Sequence, residues 1–315
     1  MPSELNRIYK VLVVDDEPSI LYLFEELFKD EKWIKIYTAD NPFEGLKEVK
    51  SNTFDLVISD IQMPQMMGYQ LLQEVRKLSP SSKTALITGY NVEQYLQIAL
   101  NYGITNIITK DHAFKIDWVR TYIWNLLTRN IFGLKNYLKR PSSRLHRLYI
   151  DNSRMIFPVV ETIHETFSKN NIEADLKLPV TEILTNAFYH SHGKPNNSVN
   201  NEKGHEHIQL EPHNKIFIEY GWDDTKLGIS VTDPMGTLKK EDILYHLKRN
   251  TTIGQDGLPE NIYDTRGRGF FLVWYNVDRM IVNVSADEKT EVIVLNFFEQ
   301  YRSKGRLHPL FINEI

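Results

Sequence analysis

Five polar residues in the first 110 positions each stand at the end of a short apolar run. They are Asp15, Asp16, Asp60, Thr88 and Lys110. Clustered carboxylates repel one another unless a cation neutralises them, and Mg²⁺ prefers oxygen ligands of this kind. A hydroxyl and an ammonium nearby would hold the oxygens of a phosphoryl group. If these side chains meet in the fold, their types predict a magnesium-assisted phosphoryl site; otherwise they are solvated strand ends.

A second set of polar residues falls on one helical stripe in EILTNAFYH, residues 182–190. Glu182, Asn186 and His190 recur every four positions, so a helix would align them along one edge. The rest of the stretch is largely apolar. A carboxylate, an amide and an imidazole in a row on such a helix indicate an edge that faces a ligand. The alternative interpretation is that this edge faces water.

Length and composition suit a globular protein with two cores, because 315 residues are many for one domain. The net charge of -4 gives no electrostatic reason to expect nucleic acid as a direct partner. The absence of cysteine excludes disulfides and cysteine-bound zinc, and it suits a reducing compartment. The first residues lack the apolar core of a signal peptide, and no apolar run is long enough to span a bilayer. We therefore expect a cytoplasmic protein without a membrane partner.

Short apolar runs alternate with helical patterns from residue 10 to about residue 115. The runs are KVLVV, IKIYT, FDLVIS, KTALIT and NIIT. This alternation predicts an α/β fold with a doubly wound, five-stranded parallel sheet whose strands are buried on both faces. Ligands of such sheets bind beyond the carboxyl ends of the strands, which is where the five polar residues lie. No glycine-rich turn follows the first run, which argues against a dinucleotide site.

Four segments occur in the order and spacing of the receiver domain of two-component response regulators. They are VLVVDDE, SDIQMPQMMG, LITGY and IITKD. The resemblance covers roughly residues 8–125 and implies a flavodoxin-like fold. It implies that Asp60 accepts a phosphoryl group from an upstream histidine kinase. The other implied roles are Mg²⁺ binding by Asp15, Asp16 and Asp60, and contact with the phosphoryl group by Thr88 and Lys110.

Two positions depart from the receiver pattern. Ile107 stands where the family usually has an aromatic switch residue, and Asp111 stands where a proline usually follows the lysine. We expect the phosphorylation chemistry to survive both changes. The transmission of the signal to the last helix and strand should differ.

Residues 115–140 have apolar side chains every three or four positions, which predicts one long amphipathic helix. Gly133 would weaken the second half of that helix. The first half would cover the sheet, and the second half could pair with a second copy in a homodimer. The segment PSSR, residues 141–144, is the best boundary. The expected domains are a receiver at 1–125, a helical connector at 126–149 and a C-terminal domain at 150–315.

Beyond residue 150 the pattern changes to helices followed by alternating strands. The helical stretches are SRMIFPVVETIHETFSKN and LKLPVTEILTNAFYH, and the strands are KIFIEYGW, KLGISVTD, RMIVNVSAD and TEVIVLNFF. This order predicts an α/β sandwich with an antiparallel sheet. Residues 191–214 are polar and rich in Asn, so they should form a surface loop. His205 and His207 in this loop are better explained as solvated residues than as a metal site.

Three later segments, taken together with the polar stripe, resemble the GHKL ATPase fold of histidine kinases, gyrase, Hsp90 and the anti-sigma-factor serine kinases. They are VTDPMG, TRGRGFFLV and KTEVIVL, and the resemblance covers roughly residues 150–300. It implies an ATP site in which Asn186 binds Mg²⁺ and Glu182 holds or deprotonates the nucleophile. Asp233 would accept a hydrogen bond from the adenine amino group. The other implied nucleotide-binding residues are His190, Gly236, Arg266, Gly267, Gly269 and Thr290.

The stretch TEILTNAFYH, Arg154 on the preceding helix and a short lid favour the anti-sigma serine kinase branch of this family. The implied function is a phosphorelay response regulator that controls an ATP-dependent serine/threonine protein kinase. Its substrate would be an anti-sigma-factor antagonist.

The sequence also departs from the ATPase pattern. Residues 233–236 read DPMG, which lacks one glycine of the family motif, and Lys289 replaces the usual glycine before Thr290. One alternative is therefore a catalytically degenerate domain that binds a sigma factor or an antagonist under receiver control. Another alternative is a histidine-kinase-like phosphorelay through His164.

Overall fold

The computed structural model describes most of the chain. The described ranges are residues 7–88, 101–104, 106–110, 116–139, 142–190, 208–251, 268–286, 288–302 and 310–314. They belong to two compact units that meet in the chain between Ile131 and Phe132. In the part of the chain that these ranges cover, no helix is both long enough and apolar enough to cross a bilayer.

The first unit contains a five-stranded sheet in the order β2-β1-β3-β4-β5, and every pair of neighbours is parallel. Its described elements are β1 (Tyr9–Val14), α1 (Pro18–Phe28), β2 (Ile34–Ala39), α2 (Pro42–Ser51), β3 (Leu56–Asp60), α3 (Gly68–Leu78), β4 (Lys83–Thr88), β5 (Ile107–Thr109) and α4 (Ile116–Thr128). The predicted flavodoxin-like parallel sheet is confirmed.

Continuous apolar runs explain the burial of the central strands. Leu56, Val57 and Ile58 of β3 are fully buried, because helices cover both faces of a parallel sheet. Asn41 caps α2, since its Oδ1 accepts hydrogen bonds from the backbone N–H groups of Phe43 and Glu44. Because the five strands are parallel, their carboxyl ends lie at one edge of the sheet, which is called the rim below.

The prediction of a single helix over residues 115–140 is wrong beyond Thr128, where α4 ends. Arg129 and Gly133 both have positive φ, at 55° and 93°, and a right-handed helix cannot continue through such residues. The chain then forms a 3₁₀ turn at Leu134–Asn136 and later a strand at Arg144–Ile150. Residues 132–139 belong to the second unit and are called the strap below. Their apolar periodicity reflects packing within that unit.

The second unit contains a six-stranded sheet in the order β11-β9-β10-β8-β7-β6. Its described elements are β6 (Arg144–Ile150), α5 (Ile156–Lys169), α6 (Lys177–His190), β7 (Ile216–Trp222), β8 (Lys226–Asp233), α7 (Lys240–Thr251), α8 (Gly269–Asn276), β9 (Arg279–Ser285), β10 (Lys289–Phe297) and β11 (Leu310–Glu314). β11 runs parallel to β9, whereas the other neighbours are antiparallel. The four predicted strands, β7 to β10, pair antiparallel as expected, but the sheet as a whole is mixed because β11, which was not predicted, runs parallel to β9.

The four strands expected after residue 214 are present, but β6 and β11 were not predicted. Helices α5 and α6 pack on each other, and α6 also contacts α8 and β8. Alternate residues of β8 point to opposite faces of the sheet. Val231 and Asp233 lie on the side of α6, while Gly228 and Ser230 lie on the side of the strap. Both faces of the central strands are consequently covered.

Candidate functional site

The first candidate site lies at the rim of the parallel sheet, where Lys110 contacts three carboxylates. Its Nζ lies 2.7 Å from Asp60 Oδ1, 2.9 Å from Asp15 Oδ2 and 3.1 Å from Glu17 Oε1. Asp15 and Asp60 are buried, while Glu17 is exposed. One ammonium therefore neutralises two carboxylates that are removed from water.

Strand register explains why these side chains meet. Val14 of β1 pairs with Ser59 of β3, so the residues that follow them, Asp15 and Asp60, emerge side by side. Thr109 of β5 pairs with Thr88 of β4. Lys110 follows β5, and its long side chain reaches across to both aspartates. The five-stranded parallel order is what brings the residues together.

Backbone groups hold both aspartates in place. Asp15 Oδ1 accepts a hydrogen bond from the backbone N–H of Glu17 at 3.0 Å, and Asp60 Oδ2 accepts one from Gln62 at 2.6 Å. Gly68 begins α3 against the backbone of Asp60, where a Cβ would lie 1.8 Å from the Asp60 carbonyl oxygen. Only glycine fits there, so the segment SDIQMPQMMG positions the carboxylate as well as supplying it.

Burial and the neighbouring opposite charges shift the pKa values of Asp15, Asp60 and Lys110 in opposite directions. Burial raises the pKa of both Asp15 and Asp60, and the ammonium of Lys110 only partly opposes this. Burial by itself would lower the pKa of Lys110, but hydrogen bonds and charges from Asp60 and Asp15 outweigh it and raise that pKa. Lys110 therefore remains protonated, as a group that binds phosphoryl oxygens must be.

Asp16 is exposed and lies on the solvent side of the same rim. Its charge contributes, after burial, to the raised pKa of Asp60. Asp15 Oδ2 makes no hydrogen bond of good geometry, although it lies beside Lys110. Among the described residues, no group of three His, Cys, Asp or Glu side chains forms a ready metal cage. The donors are all carboxylate oxygens and one lacks a hydrogen bond, so the residues fit a hard cation such as Mg²⁺ held with water ligands.

Some of the predicted site residues lie partly or wholly outside the described part of the chain. Thr88 ends β4 and His190 ends α6, but only their backbone positions are described. Arg266 and Gly267, like His205 and His207 of the polar loop, lie outside the described residues. Asp111 also lies outside them, and Ile107 is buried in β5. Glu17, Gln62 and Gly68 were missed as contributors to the rim, although they fall within or beside the quoted segments.

The second candidate site lies where α6 meets the start of α8. A Cβ at Gly269 would lie 2.7 Å from Glu182 Oε2 and 3.0 Å from Asn186 Nδ2. The absence of a side chain at Gly269 thus lets α8 begin directly beside the carboxylate and the amide. Burial raises the pKa of Glu182. The polar stripe of α6 therefore lies against the start of α8 at Glu182 and Asn186.

A small cavity lies under this contact, between the helices and the sheet. It has a volume of about 20 Å³, which is room for about one water. Its lining residues are Ile183, Asn186, Ala187, Val231, Asp233, Leu238, Phe270, Thr290 and Val292. Asn186 Nδ2 and Thr290 Oγ1 are buried and have no hydrogen-bond partner among the residues that the structure describes. Two such polar atoms in one largely apolar cavity point to a ligand or a water.

The DPMG segment forms a tight turn beside this cavity. Asp233 Oδ1 accepts a hydrogen bond from the backbone N–H of Met235 at 2.9 Å. Gly236 has φ of +61°, and a Cβ there would lie 2.7 Å from the backbone nitrogens of Glu288 and Lys289. Asp233 is paired with Thr290 across β8 and β10. The structure therefore brings together Glu182, Asn186, Asp233, Gly236, Gly269 and Thr290.

Comparisons with known proteins concern the first unit. Residues 11–116 match the family described as the response regulator receiver domain. The transcriptional regulatory protein GlrR of Escherichia coli K12 is 32% identical over 100 residues, covering 32% of this chain and 22% of GlrR. The probable C4-dicarboxylate response regulator DctR of Bacillus subtilis 168 is 29% identical over 116 residues, covering 36% of this chain and 50% of DctR.

An uncharacterized 14.6 kDa protein of Leptolyngbya boryana is 35% identical over 103 residues, covering 32% of this chain and 77% of that protein. Among solved structures, a CheY-like receiver domain protein from Methanospirillum hungatei JF-1 is 27% identical, with a TM-score of 0.36. That alignment covers 39% of this chain and 97% of the other. The chain spans half or less of GlrR and DctR.

Proposed function

The chain belongs to the response regulator receiver family through residues 11–116, and from this premise we propose that phosphorylation of Asp60 controls its second unit. The contact of Lys110 with the buried carboxylates of Asp15 and Asp60 is the observation that carries this proposal. A receiver domain implies an upstream histidine kinase, whose phosphohistidine would be the phosphoryl donor.

The reaction needs Asp60 as an ionised nucleophile. Burial disfavours that form by raising the pKa of Asp60, and Lys110 at 2.7 Å partly opposes this effect. A carboxylate oxygen of Asp60 attacks the phosphorus, the bond from phosphorus to the donor imidazole nitrogen breaks, and an acyl phosphate forms. Lys110 then holds a phosphoryl oxygen in place of the carboxylate. Mg²⁺, held by Asp15, Asp16 and Asp60, would neutralise the added charge.

Acetyl phosphate with Mg²⁺ tests this step. The wild-type chain should gain one phosphate, detected as a mass increase that hydroxylamine removes, and Asp60→Asn should gain none. Asp40→Asn is the matched control, because Asp40 is an exposed aspartate that follows β2 of the same sheet. A phosphate that persists in Asp60→Asn would refute the assignment.

For the second unit, we propose an ATP-binding protein kinase of the anti-sigma serine/threonine type. The unpaired Asn186 Nδ2 and Thr290 Oγ1, together with the half-buried Glu182, support a polar ligand between the helices and the sheet. Glu182 would accept the proton of a substrate serine as its oxygen attacks the γ-phosphorus of ATP. ADP would leave, and Asn186 would hold Mg²⁺. The substrate would be an anti-sigma-factor antagonist.

A second candidate function is a binding domain without catalysis, which would sequester a sigma factor or an antagonist. The size of the cavity favours it, because a volume of about 20 Å³ cannot hold an adenine ring. The turn at residues 233–236 also favours it, since Asp233 Oδ1 already accepts the N–H of Met235. ATP would therefore have to widen the cavity and compete for this carboxylate.

Nucleotide binding separates the two candidates. A fluorescent ATP analogue with Mg²⁺ should bind the wild-type chain, and Asn186→Ala should weaken its binding by at least tenfold, about 1.4 kcal/mol. Asn276→Ala is the control, because that residue ends α8 away from the cavity lining. Absence of analogue binding at millimolar concentration would leave the binding domain as the surviving candidate.

A further inference from the structure

The strap, residues 132–139, covers the face of the second sheet that lies opposite the small cavity. Leu134, Tyr137 and Leu138 of the strap are buried. Gly228 of β8 makes room for the strap, because a Cβ there would lie 2.7 Å from Leu134 Cδ1. The strap therefore packs closely on the sheet of the second unit.

Carboxylates of the sheet hold the strap by its backbone. The N–H of Gly133 donates to both carboxylate oxygens of Glu291 at 3.0 Å, and the N–H of Leu134 donates to Glu219 Oε2 at 2.9 Å. The N–H of Lys139 donates to Asp223 Oδ2 at 2.6 Å. Each bond is charge-assisted if its carboxylate is ionised, and such bonds are stronger than neutral ones. Both ends of the strap are therefore fastened by polar groups.

These carboxylates also accept hydrogen bonds from side chains of the sheet, so they keep donors when the strap leaves. Ser230 Oγ and Asn283 Nδ2 donate to Glu291 at 2.5 and 3.0 Å. Arg147 Nε donates to Glu219 at 3.0 Å, and Lys226 Nζ donates to Asp223 at 2.6 Å. Release would let water replace the N–H donors of the strap, and it would expose the side chains of Leu134, Tyr137 and Leu138. A segment held in this way can dock and release.

The strap and the cavity share two strands. Glu291 faces the strap, while its neighbours Thr290 and Val292 line the cavity on the other face of β10. On β8, Ser230 belongs to the strap side and Val231 to the cavity side. A shift of either strand on strap release therefore moves residues that line the cavity.

The strap is also the first part of the second unit that follows the receiver. α4 ends at Thr128, so only residues 129–131 separate the last receiver helix from the strap. In the structure Lys110 contacts Asp60, and the strap is docked on the second sheet. A movement at the end of α4 has only this short link through which to reach the strap along the chain.

We infer that the strap is a releasable lock between the two units. It is docked on Glu291, Glu219 and Asp223 while Asp60 is unmodified, and it leaves the sheet when Asp60 is phosphorylated. Its release would then change the cavity between the helices and the sheet. The effect on the cavity rests on the proposed function, but the release of the strap does not.

The absence of cysteine in the chain makes the release directly measurable. Leu138→Cys places a single thiol at a buried strap position, and Val294→Cys places one at a buried β10 position on the cavity side. Beryllofluoride with Mg²⁺ mimics the phosphoryl group, and its binding is followed independently by its fluorine NMR signal. We expect about tenfold faster thiol labelling at position 138 with beryllofluoride. Labelling at position 294 should not change.

Asp60→Asn combined with Leu138→Cys should abolish the acceleration, because the acceptor carboxylate is gone. Equal labelling at position 138 with and without beryllofluoride, while the fluorine signal shows that it is bound, would overturn the inference. Faster labelling at both positions would overturn it as well, since that result means general loosening of the unit.

A second variant tests the lock without relying on the receiver. Gly228→Ala introduces a methyl group 2.7 Å from Leu134 Cδ1 of the strap and 2.7 Å from Leu295 Cδ2 of β10, so it should accelerate labelling at position 138 more than at position 294. Unchanged labelling at position 138 would overturn the inference that the strap docks by packing Leu134 against Gly228. The fluorescent ATP analogue is then added to each variant. Loss of analogue binding throughout, with labelling as expected, would refute the proposed ATP site and leave the lock standing.

Discussion

Gly269 at the start of α8 directly faces the carboxylate of Glu182, so that an added Cβ would lie 2.7 Å from Oε2. We expect Gly269→Ala to cost about 1 kcal/mol of unfolding free energy, because the end of a flexible glutamate can move aside. It should also weaken binding of the ATP analogue, since Asn186 Nδ2 lies 3.0 Å from the same point. Urea unfolding and analogue titration measure the two effects.

The double variant Gly269→Ala with Glu182→Ala is the control for this contact. It should recover most of the lost unfolding free energy, because the clashing carboxylate is removed. It should not recover analogue binding, as Glu182 belongs to the proposed site. A loss of stability that is the same in the single and double variants would show that the contact is not its cause.

Gly236→Ala should be more damaging than Gly269→Ala. Gly236 has φ of +61°, and its missing Cβ would lie 2.7 Å from two backbone nitrogens, which cannot move aside as a side chain does. We expect a loss of about 2 to 3 kcal/mol in urea unfolding. Gly103→Ala is the control, because Gly103 has φ of +65° but its nearest neighbour is Arg76 Nη1 at 3.5 Å. Equal losses in the two variants would assign the whole effect to backbone conformation.

The sequence predicted the elements that depend on local pattern. The parallel strands were recognised because they are unbroken apolar runs, and the rim residues were recognised because each follows such a run. β6 was missed because Arg144, His146 and Arg147 interrupt it at the edge of the sheet. The helix was extended too far because strap residues such as Leu134 and Leu138 keep a helical spacing while packing on a sheet.

Contacts between distant residues were beyond prediction from spacing. Glu291 and Glu219 stand in strands that read as ordinary alternating sequence, and their partners Gly133 and Leu134 lie in a segment that was interpreted as helix. A charged residue in a strand usually faces water, so neither glutamate attracted notice. Only the fold shows that both are buried and hold the strap.

Lys110→Ala should remove the ammonium that neutralises Asp15 and Asp60. Lys110 is 14% exposed and both carboxylates are buried, so we expect a loss of about 2 to 3 kcal/mol of unfolding free energy at pH 7. Without Lys110 the raised pKa values of both carboxyls should rise further. The loss should therefore shrink as the pH falls and both groups become protonated in the folded state.

Lys47→Ala is the control for this variant. Lys47 forms an ion pair with Glu44 on an exposed helix surface, with 69% of its side chain accessible. Its removal should change the unfolding free energy by less than about 0.5 kcal/mol, independent of pH between 5 and 7. A similar, pH-independent loss in both variants would contradict the role given to Lys110.

Glu291 should make the strap sensitive to pH. Burial raises the pKa of Glu291, and the charge of Glu219 adds to this, against hydrogen bonds from Ser230, Asn283 and Gly133. For Glu291 the cost of burying the ionised form outweighs the gain from its charge-assisted hydrogen bonds, including that of Gly133. A carboxyl whose pKa is raised in this way contributes its stability below the unfolded pKa and loses it as the pH rises through the folded pKa. Other groups nearby are Arg147, which pairs with Glu219, and the hydroxyl of Tyr137, which contacts Asn283.

Thiol labelling of Leu138→Cys should consequently accelerate between pH 5 and pH 8 by more than the intrinsic reactivity of a thiol predicts, with Val294→Cys as the reference for that reactivity. Glu291→Gln, which cannot ionise, should remove the excess acceleration because the amide oxygen still accepts one N–H of the strap. If the ratio of labelling at position 138 to that at position 294 is the same at every pH in both backgrounds, ionisation of Glu291 does not control the strap, and the fastening must depend on Glu219 and Asp223.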